Sequence, residues 1–327
     1  MSKVVIRPDN IDFEINNDQN ILQEAIKRNL NVPYACKKGI CGACKCKVLS
    51  GDFKLEEFNK IILTEEEQEQ GYTLLCKSYA NSDVEILIPN ILNKKKTILS
   101  PAKVISLEKY KSVAIIKLKL PSSQKFEFNA GQYIDVILSD KTRSYSIASS
   151  PYSSTELELH VKYYKDGIFS EYIWNQIQIN NILRIKGPLG IFTVKKSDAP
   201  IIFVATGTGF APIKSILEEL IINKSNKEIH FYWGNRCYDD FYLLDYIKSL
   251  KNQLNIKINL CLSQDNKENY YSGYVTTKIA EDFKNIGLYE IYACGNIKMI
   301  EDVYELGIKL GLDKNNFYSD VFTPSIR

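Results

Sequence analysis

Cys36-Lys37-Lys38-Gly39-Ile40-Cys41-Gly42-Ala43-Cys44-Lys45-Cys46 decides how the first part of this chain folds. Its first three cysteines are spaced C-x4-C-x2-C, and a fourth, Cys76, follows Leu74-Leu75 downstream. That is the ligand spacing of a [2Fe–2S] cluster held by four thiolates. Thiolates are soft, electron-donating ligands and suit iron–sulfur centres. Gly39 and Gly42 permit backbone conformations closed to other residues, so that N–H groups can approach the sulfurs. Ala43 leaves room for that approach, and such donors, with burial, tune the potential. Zinc is the rival metal reading. It usually takes two C-x2-C-like pairs, and Cys76 has no such partner. Cys46 falls in the strand-like run 45–49 and is expected to pack as a small apolar residue. An exchange of roles with Cys44 is the alternative.

The flanking sequence frames that loop. Residues 3–15 alternate around Pro8-Asp9-Asn10 and read as a hairpin. Ile21, Leu22, Ala25 and Ile26 form a helical stripe over 20–29. Thr64-Glu65-Glu66-Glu67 is a capping box, with Glu67 reaching back to its N-cap, and Gly71 should end that helix. Residues 72–76 then deliver the last cysteine, and 84–88 form a closing strand. Strands with one helix over them and a cluster loop make a β-grasp ferredoxin domain, an α+β unit expected over residues 1–92.

Composition narrows the classes. The 327 residues are 45% hydrophobic and 25% charged, ordinary for a globular protein of two or three domains. With 42 basic and 39 acidic residues the net charge is only +3, which argues against a nucleic-acid binder. Residues 1–92 are instead net −3, largely through Glu56, Glu57, Glu65, Glu66, Glu67 and Glu69. A solvated face is the preferred reading, and a docking surface for a basic partner the sharper one. No apolar run reaches the ~20 residues of a membrane span, and Met1-Ser2-Lys3-Val4 opens straight into a strand pattern without a signal peptide. Four cysteines beyond the ligands show no disulfide framework, which implies a reducing cytoplasm. His160 and His230 are the only histidines, both in strand-like runs where core packing is expected, so no histidine-based chemistry is available.

Asn93-Lys94-Lys95-Lys96-Thr97 reads as a linker, placed at 93–99. Over 100–196 short strands dominate (113–120, 132–138, 143–148 and 157–164), which suggests an antiparallel β-barrel. Arg143-Ser144-Tyr145-Ser146 puts Arg143 and Tyr145 on one face of a strand. A fixed cation and an aromatic there suit a phosphate and a flavin ring. His160 and Lys162, on the strand 157–164, are further candidates for that cofactor. Gly167-Ile168-Phe169-Ser170 leads into a helix at 170–177, whose N-terminus offers free N–H groups to a pyrophosphate.

From 197 onward the pattern becomes an α/β doubly wound domain. Ile201-Ile202-Phe203-Val204-Ala205 reads as a buried parallel strand. Thr206-Gly207-Thr208-Gly209-Phe210-Ala211-Pro212 is a glycine-rich turn, with Pro212 expected to open the helix 213–222. Strands at 229–233, 256–262 and 289–293 and helices at 238–250, 276–283 and 298–309 continue the alternation. Ligands bind at the carboxyl ends of such strands, here Gly207-Thr208-Gly209, Gly234-Asn235-Arg236, Ser263 and Cys294-Gly295. The turn is G-x-G-x-x-P and no acid ends the second strand, so the standard dinucleotide fingerprint is not met. A nicotinamide nucleotide lying over a flavin still fits. Ser263-Gln264-Asp265-Asn266 offers a serine beside an acid and favours NADH over NADPH.

In this order the motifs resemble the ferredoxin–NADP reductase superfamily, and within it members that carry an N-terminal plant-type ferredoxin domain. The resemblance covers essentially the whole chain. It implies a flavin motif at Arg143-Ser144-Tyr145-Ser146 and a pyrophosphate turn at Gly167 and Ser170. It implies nicotinamide motifs at Gly207-Thr208-Gly209-Phe210-Ala211-Pro212 and Cys294-Gly295. By resemblance Ser146 sits near the flavin N5, Thr208 and Cys294 near the nicotinamide ring, and Phe322 over one flavin face. FAD rather than FMN is implied in the same way. Tyr232-Trp233-Gly234, Tyr292-Ala293-Cys294-Gly295 and Phe317-Tyr318-Ser319-Asp320-Val321-Phe322 are most similar to reductases that serve a sugar-nucleotide dehydratase of 3,6-dideoxyhexose synthesis, a source of lipopolysaccharide O-antigen sugars. Gly234-x-Arg236 is shared with reductases of non-haem oxygenases.

The expected function is therefore an NADH-dependent oxidoreductase that passes electrons through FAD and [2Fe–2S] to an acceptor enzyme, a dehydratase or an oxygenase, docking near the cluster. A ferredoxin-type redox module without turnover is the alternative of another class. It predicts that NADH leaves bound flavin unbleached.

Overall fold

The computed structural model describes every residue except 29, 31, 35, 36, 41, 61, 89–94, 140, 154 and 323–327. The chain divides into two compact units, residues 1–97 with 189–191, and residues 98–188 with 192–327. Of the linker expected at 93–99, residues 93 and 94 lie outside the described residues, and 98 and 99 already belong to the first strand of the second unit.

In the first unit β1 (Ser2–Arg7) and β2 (Ile11–Ile15) form the expected hairpin, with Val4 opposite Phe13. Helix α1 (Ile21–Lys27) starts where the Asn20 side chain accepts the Gln23 N–H at 3.1 Å. It buries Ile21, Leu22 and Ala25. β3 (Lys45–Ser50), β4 (Phe53–Leu55), α2 (Glu65–Glu69), β5 (Tyr72–Leu74), β6 (Ser78–Ala80) and β7 (Val84–Leu87) follow. The main sheet runs β2-β1-β7-β3-β5, with β1 and β7 parallel, and β4 and β6 make a separate ribbon. The capping box on α2 is formed as read: Glu67 N–H donates to Thr64 Oγ1 at 3.2 Å, and Thr64 N–H to Glu67 Oε2 at 3.0 Å. Gly71, at φ +86°, ends the segment. The helices read at 20–29 and after Thr64 thus both form.

The barrel of the second unit contains β8 (Ile98–Tyr110), β9 (Val113–Lys119), β10 (Tyr133–Leu138), β11 (Lys141–Ser146), β12 (Glu156–Lys162), α3 (Ile168–Asn175) and β13 (Ile182–Leu189). Strand order is β11-β10-β13-β8-β9-β12, and an Ile147–Leu159 bridge joins its two ends. Its core includes Val104, Ile116, Leu118, Ile134, Val136, Leu159 and Ile185. Helix α3 begins at Ile168, two residues before the expected start.

The rest of this unit is a six-stranded parallel sheet, ordered β17-β16-β15-β14-β18-β19. Its elements are β14 (Ile201–Thr206), α4 (Phe210–Ile222), β15 (Ile229–Asn235), α5 (Leu244–Ser249), β16 (Ile256–Leu262), β17 (Tyr271–Ser272), α6 (Val275–Asp282), β18 (Glu290–Gly295), α7 (Ile297–Lys309) and β19 (Phe317–Val321). Two expectations are corrected. Helix α4 starts at Phe210, so Pro212 is its third residue rather than its first; a first-turn N–H has no intrahelical partner, so proline costs nothing there. The helix expected at 238–250 is interrupted: residues 238–240 make a single tight turn and α5 begins at Leu244. Leu243 sits at φ +54°, a left-handed conformation that costs an ordinary side chain on the order of 1 kcal/mol. That break aims Phe241 and Tyr242 into the core, where their rings meet Trp233 edge-on at 5.0 and 5.2 Å. Burying each such aromatic stabilises by roughly 2–3 kcal/mol, which outweighs the strained residue.

Candidate functional site

The carboxyl ends of the parallel strands hold the interlocked loops on which the nucleotide site would be built. Gly207 adopts φ +53°, and its carbonyl accepts the Trp233 indole N–H at 3.0 Å. Gly209 presses against the carboxyl end of β18. A Cβ there would lie 2.1 Å from the Cys294 carbonyl oxygen. Gly295, at φ +138°, would meet Thr206 Oγ1 at 2.3 Å, and that hydroxyl also accepts the Asn296 N–H at 3.2 Å. Thr206, Gly207, Thr208, Gly209, Cys294 and Gly295 are thus brought together.

Cys294 itself is wholly buried, and burial, reinforced by Asp320, pushes its thiol well above the usual range. The strand register sets Asp320, also buried, opposite Cys294. The sequence gives no periodic signal for this pairing, because β19 is a short edge strand. Phe322 follows that strand, its N–H donating to Gly295 O at 2.8 Å and its side chain packing on the core beneath the loops.

The next two strand ends are joined through backbone. Ser263 N–H donates to Asn235 O at 3.0 Å and Gln264 N–H to Arg236 O at 2.9 Å, which leaves the Arg236 side chain exposed. Asp265 is fixed by two backbone donors, Tyr238 N–H at 3.1 Å and Asn266 N–H at 2.9 Å. Lys267 lies over the Tyr238 ring, 3.1 Å from its centroid.

On the barrel side, Arg143 and Tyr145 share one face of β11, and burial pushes the Tyr145 phenol upward although Arg143 partly offsets it. Ser144 points the other way and donates to Asp135 at 2.6 Å. Ser146 is buried opposite Tyr133. Gly167 caps α3 with no side-chain hydrogen bond over its first turn. The Ser170 hydroxyl is occupied locally, 3.0 Å from both Tyr164 O and Gly167 O. Lys162 Nζ reaches to within 3.8 Å of the place a Cβ on Gly207 would take, the nearest atom on that open side.

The structure sets the His160 ring in the packing between barrel and parallel sheet. Its Nδ1 lies 3.0 Å from Tyr242 OH and its Nε2 2.9 Å from Glu158 Oε1, so both ring nitrogens are engaged by protein. Lys214 Nζ approaches Glu158 at 3.1 Å. Burial alone would raise the Glu158 carboxyl, but the His160 hydrogen bond and the Lys214 charge hold it down at about 2. Burial pushes the His160 imidazole below its ordinary range.

In the first unit Cys44 and Cys76 are buried at the same end of the paired strands β3 and β5, with Leu75 N–H donating to Cys44 O at 3.1 Å. Cys36 and Cys41 lie outside the described residues. Gly39 and Gly42 take φ +74° and +70°, and a Cβ on either would run into Lys77 and Phe58 or into Ile62. Cys46 is buried on β3, and burial pushes its thiol up to about 12. Three of the acids named above are paired locally: Glu67 with Lys45 at 2.8 Å, Glu65 with Lys60 at 3.6 Å and Glu56 with Lys77 at 3.8 Å.

These features fit the groups the sequence calls for. Left-handed glycines at buried cysteines suit a cluster loop. Uncapped first turns on α3 and α4, with Gly207 open on its outer side, suit anionic dinucleotides.

The fold and these loops define an iron–sulfur flavoprotein oxidoreductase. Residues 4–81 match the 2Fe-2S iron-sulfur cluster binding domain, residues 99–194 the oxidoreductase FAD-binding domain and residues 203–305 the oxidoreductase NAD-binding domain. The chain is 36% identical over 333 residues to the CDP-6-deoxy-L-threo-D-glycero-4-hexulose-3-dehydrase reductase of Yersinia pestis, covering 98% of each chain. It is 29% identical to the propane 2-monooxygenase reductase component of Mycolicibacterium smegmatis, over 99% of this chain and 98% of that one. The solved structure of the Amycolatopsis cytochrome P450 reductase GcoB shares the fold, with a TM-score of 0.80 and 22% identity over 99% of both chains. The chain belongs to the ferredoxin–NADP reductase-like family of NAD-binding flavoprotein reductases with an N-terminal [2Fe–2S] ferredoxin domain. Among the described residues no helix is long and apolar enough to cross a membrane.

Proposed function

We propose that this chain takes electrons from NADH and delivers them to the dehydratase that forms CDP-linked 3,6-dideoxyhexoses, acting as a CDP-6-deoxy-Δ3,4-glucoseen reductase in a reducing cytoplasm. The observation that carries this reading is 36% identity to the Yersinia dehydrase reductase across 98% of both chains. When bound, the nicotinamide supplies electrons in pairs, the flavin splits the pair, and the cluster hands them on singly. This chain's residues position those groups. Cys36, Cys41, Cys44 and Cys76 would hold the cluster, with the acceptor docking near it. Arg143 and the first turn of α3, at Gly167 and Ser170, would hold flavin phosphates. Tyr145, Ser146 and Phe322 would line the ring. Thr208 and the Cys294-Gly295 loop would set the nicotinamide, with Gly207, Gly209, Pro212, Lys162, Arg236 and Ser263 along the rest of the nucleotide. Asp265, fixed beside the second and third strand ends, opposes a 2′-phosphate and favours NADH.

A second reading, service to a non-haem oxygenase, is supported by the 29% identity to the propane 2-monooxygenase reductase component. The two differ only in acceptor. Anaerobic NADH consumption with each purified partner in turn separates them: stimulation by the dehydratase with its sugar nucleotide supports the first, and stimulation by an oxygenase alone the second.

A further inference from the structure

We propose that Trp233 is a positioning residue for the nicotinamide, acting through its indole N–H on the Gly207-Thr208-Gly209 turn. The inference rests on the reading of that turn as the nicotinamide site. Two glycines flank Thr208, and glycine populates positive and negative φ about equally, so the turn's shape rests on few local constraints, chiefly one tight turn in which Phe210 N–H donates to Gly207 O. Anchors from outside complete the hold at each end. Gly209 has one in the Cys294 carbonyl against which it is pressed. Gly207 has only open space on the side where a Cβ would stand, with Lys162 Nζ at 3.8 Å as its nearest neighbour there. Its side-chain anchor is the hydrogen bond from Trp233 Nε1 to its carbonyl, at 3.0 Å, which that carbonyl accepts beside the Phe210 N–H.

The geometry of Trp233 suits that task. It lies on β15 beside Ala205, two residues before the strand end, with its side chain wholly buried. The indole has a single donor, and that donor is spent on Gly207. The ring cannot swing away. Phe210, the residue after Gly209, lies 4.6 Å from it, and Phe241 and Tyr242 meet it edge-on. One side chain thus packs against the start of α4 and holds the carbonyl that opens the turn. A tyrosine or phenylalanine would fill the core, but neither carries a donor at that position.

The test uses the oxidised holoenzyme, the unreactive analogue tetrahydro-NADH as probe, and two replacements at position 233. Trp233→Phe removes the donor and some volume. Benzothienylalanine at 233, introduced by codon suppression, replaces the N–H by sulfur and keeps the fused ring, so it remains informative if the phenylalanine variant folds poorly. Both should bind the analogue about fivefold to tenfold more weakly, the scale of one lost buried hydrogen bond. Both should also bleach flavin more slowly at saturating NADH, with flavin and iron content unchanged. Unchanged affinity and bleaching rate in the benzothienylalanine protein, whatever its melting temperature, would overturn the proposal. If the unaltered protein itself binds no analogue, the nicotinamide reading of the turn fails first and takes this inference with it.

Discussion

The carbonyl oxygen of Cys294 lies 2.1 Å from the point where a side chain on Gly209 would begin. Neither partner can yield easily. Gly209 sits between a pinned turn and helix α4, and Cys294 is paired with Ala205 on one side and Asp320 on the other. Gly209→Ala should therefore force apart the turn after β14 and the end of β18. The expected cost is about 2–4 kcal/mol of stability, with NADH-driven flavin bleaching lost by at least about a hundredfold. Thermal melting and anaerobic stopped-flow measure the two effects.

The buried group around Glu158 makes the second unit acid-sensitive. Glu158 is held at about 2 against an ordinary 4.5, and His160 lies below 6.5. Both groups bind protons more readily in the unfolded chain. Their stabilisation is complete above the ordinary values and drains as pH falls, below about 6.5 for His160 and between about 4.5 and 2 for Glu158. For Glu158 alone the loss is on the order of 3 kcal/mol. Urea unfolding between pH 7 and 3 should show this decline, and Glu158→Gln should flatten its acidic limb.

The proposed cluster ligands divide the cysteines of the first unit into two classes. Cys44→Ser should abolish iron and sulfide binding, as should serine at Cys36, Cys41 or Cys76. Cys46→Ser should keep a full cluster and lose about 1–3 kcal/mol, the cost of a hydroxyl in place of a buried thiol. Iron and sulfide assays on each variant check the division, and a full cluster in Cys44→Ser would exchange the roles of Cys44 and Cys46.

Thr64 and Glu67 satisfy each other's backbone donors at the start of α2. Thr64→Ala should cost about 1 kcal/mol, read as earlier loss of the cluster's visible absorbance on heating. Flavin absorbance should be unaffected.

Local chemistry made much of this fold readable. The Thr64 capping box and the Ile201–Ala205 run each state one structure through short-range rules, and each forms as stated. What escaped depends on distant partners. β17 and β19 are short edge strands whose residues pair with the sheet without a long apolar run of their own. The break at Leu243 is worthwhile only because Phe241 and Tyr242 find Trp233 and His160. His160 offered no local sign that its ring nitrogens would be taken by Glu158 and Tyr242, the latter 82 residues away. Cys294 reads as lying just past a strand that ends at 293, and neither its burial within β18 nor the Asp320 set against it was legible.

The relay from NADH through flavin to cluster is tested most directly by titrating the purified holoenzyme with NADH under argon. Visible absorbance should follow the flavin and low-temperature electron paramagnetic resonance the cluster. Bleaching of the yellow chromophore, followed by the signal of a singly reduced [2Fe–2S] centre, is the predicted result. A protein that holds iron, sulfide and flavin yet shows neither change on adding NADH would contradict the account.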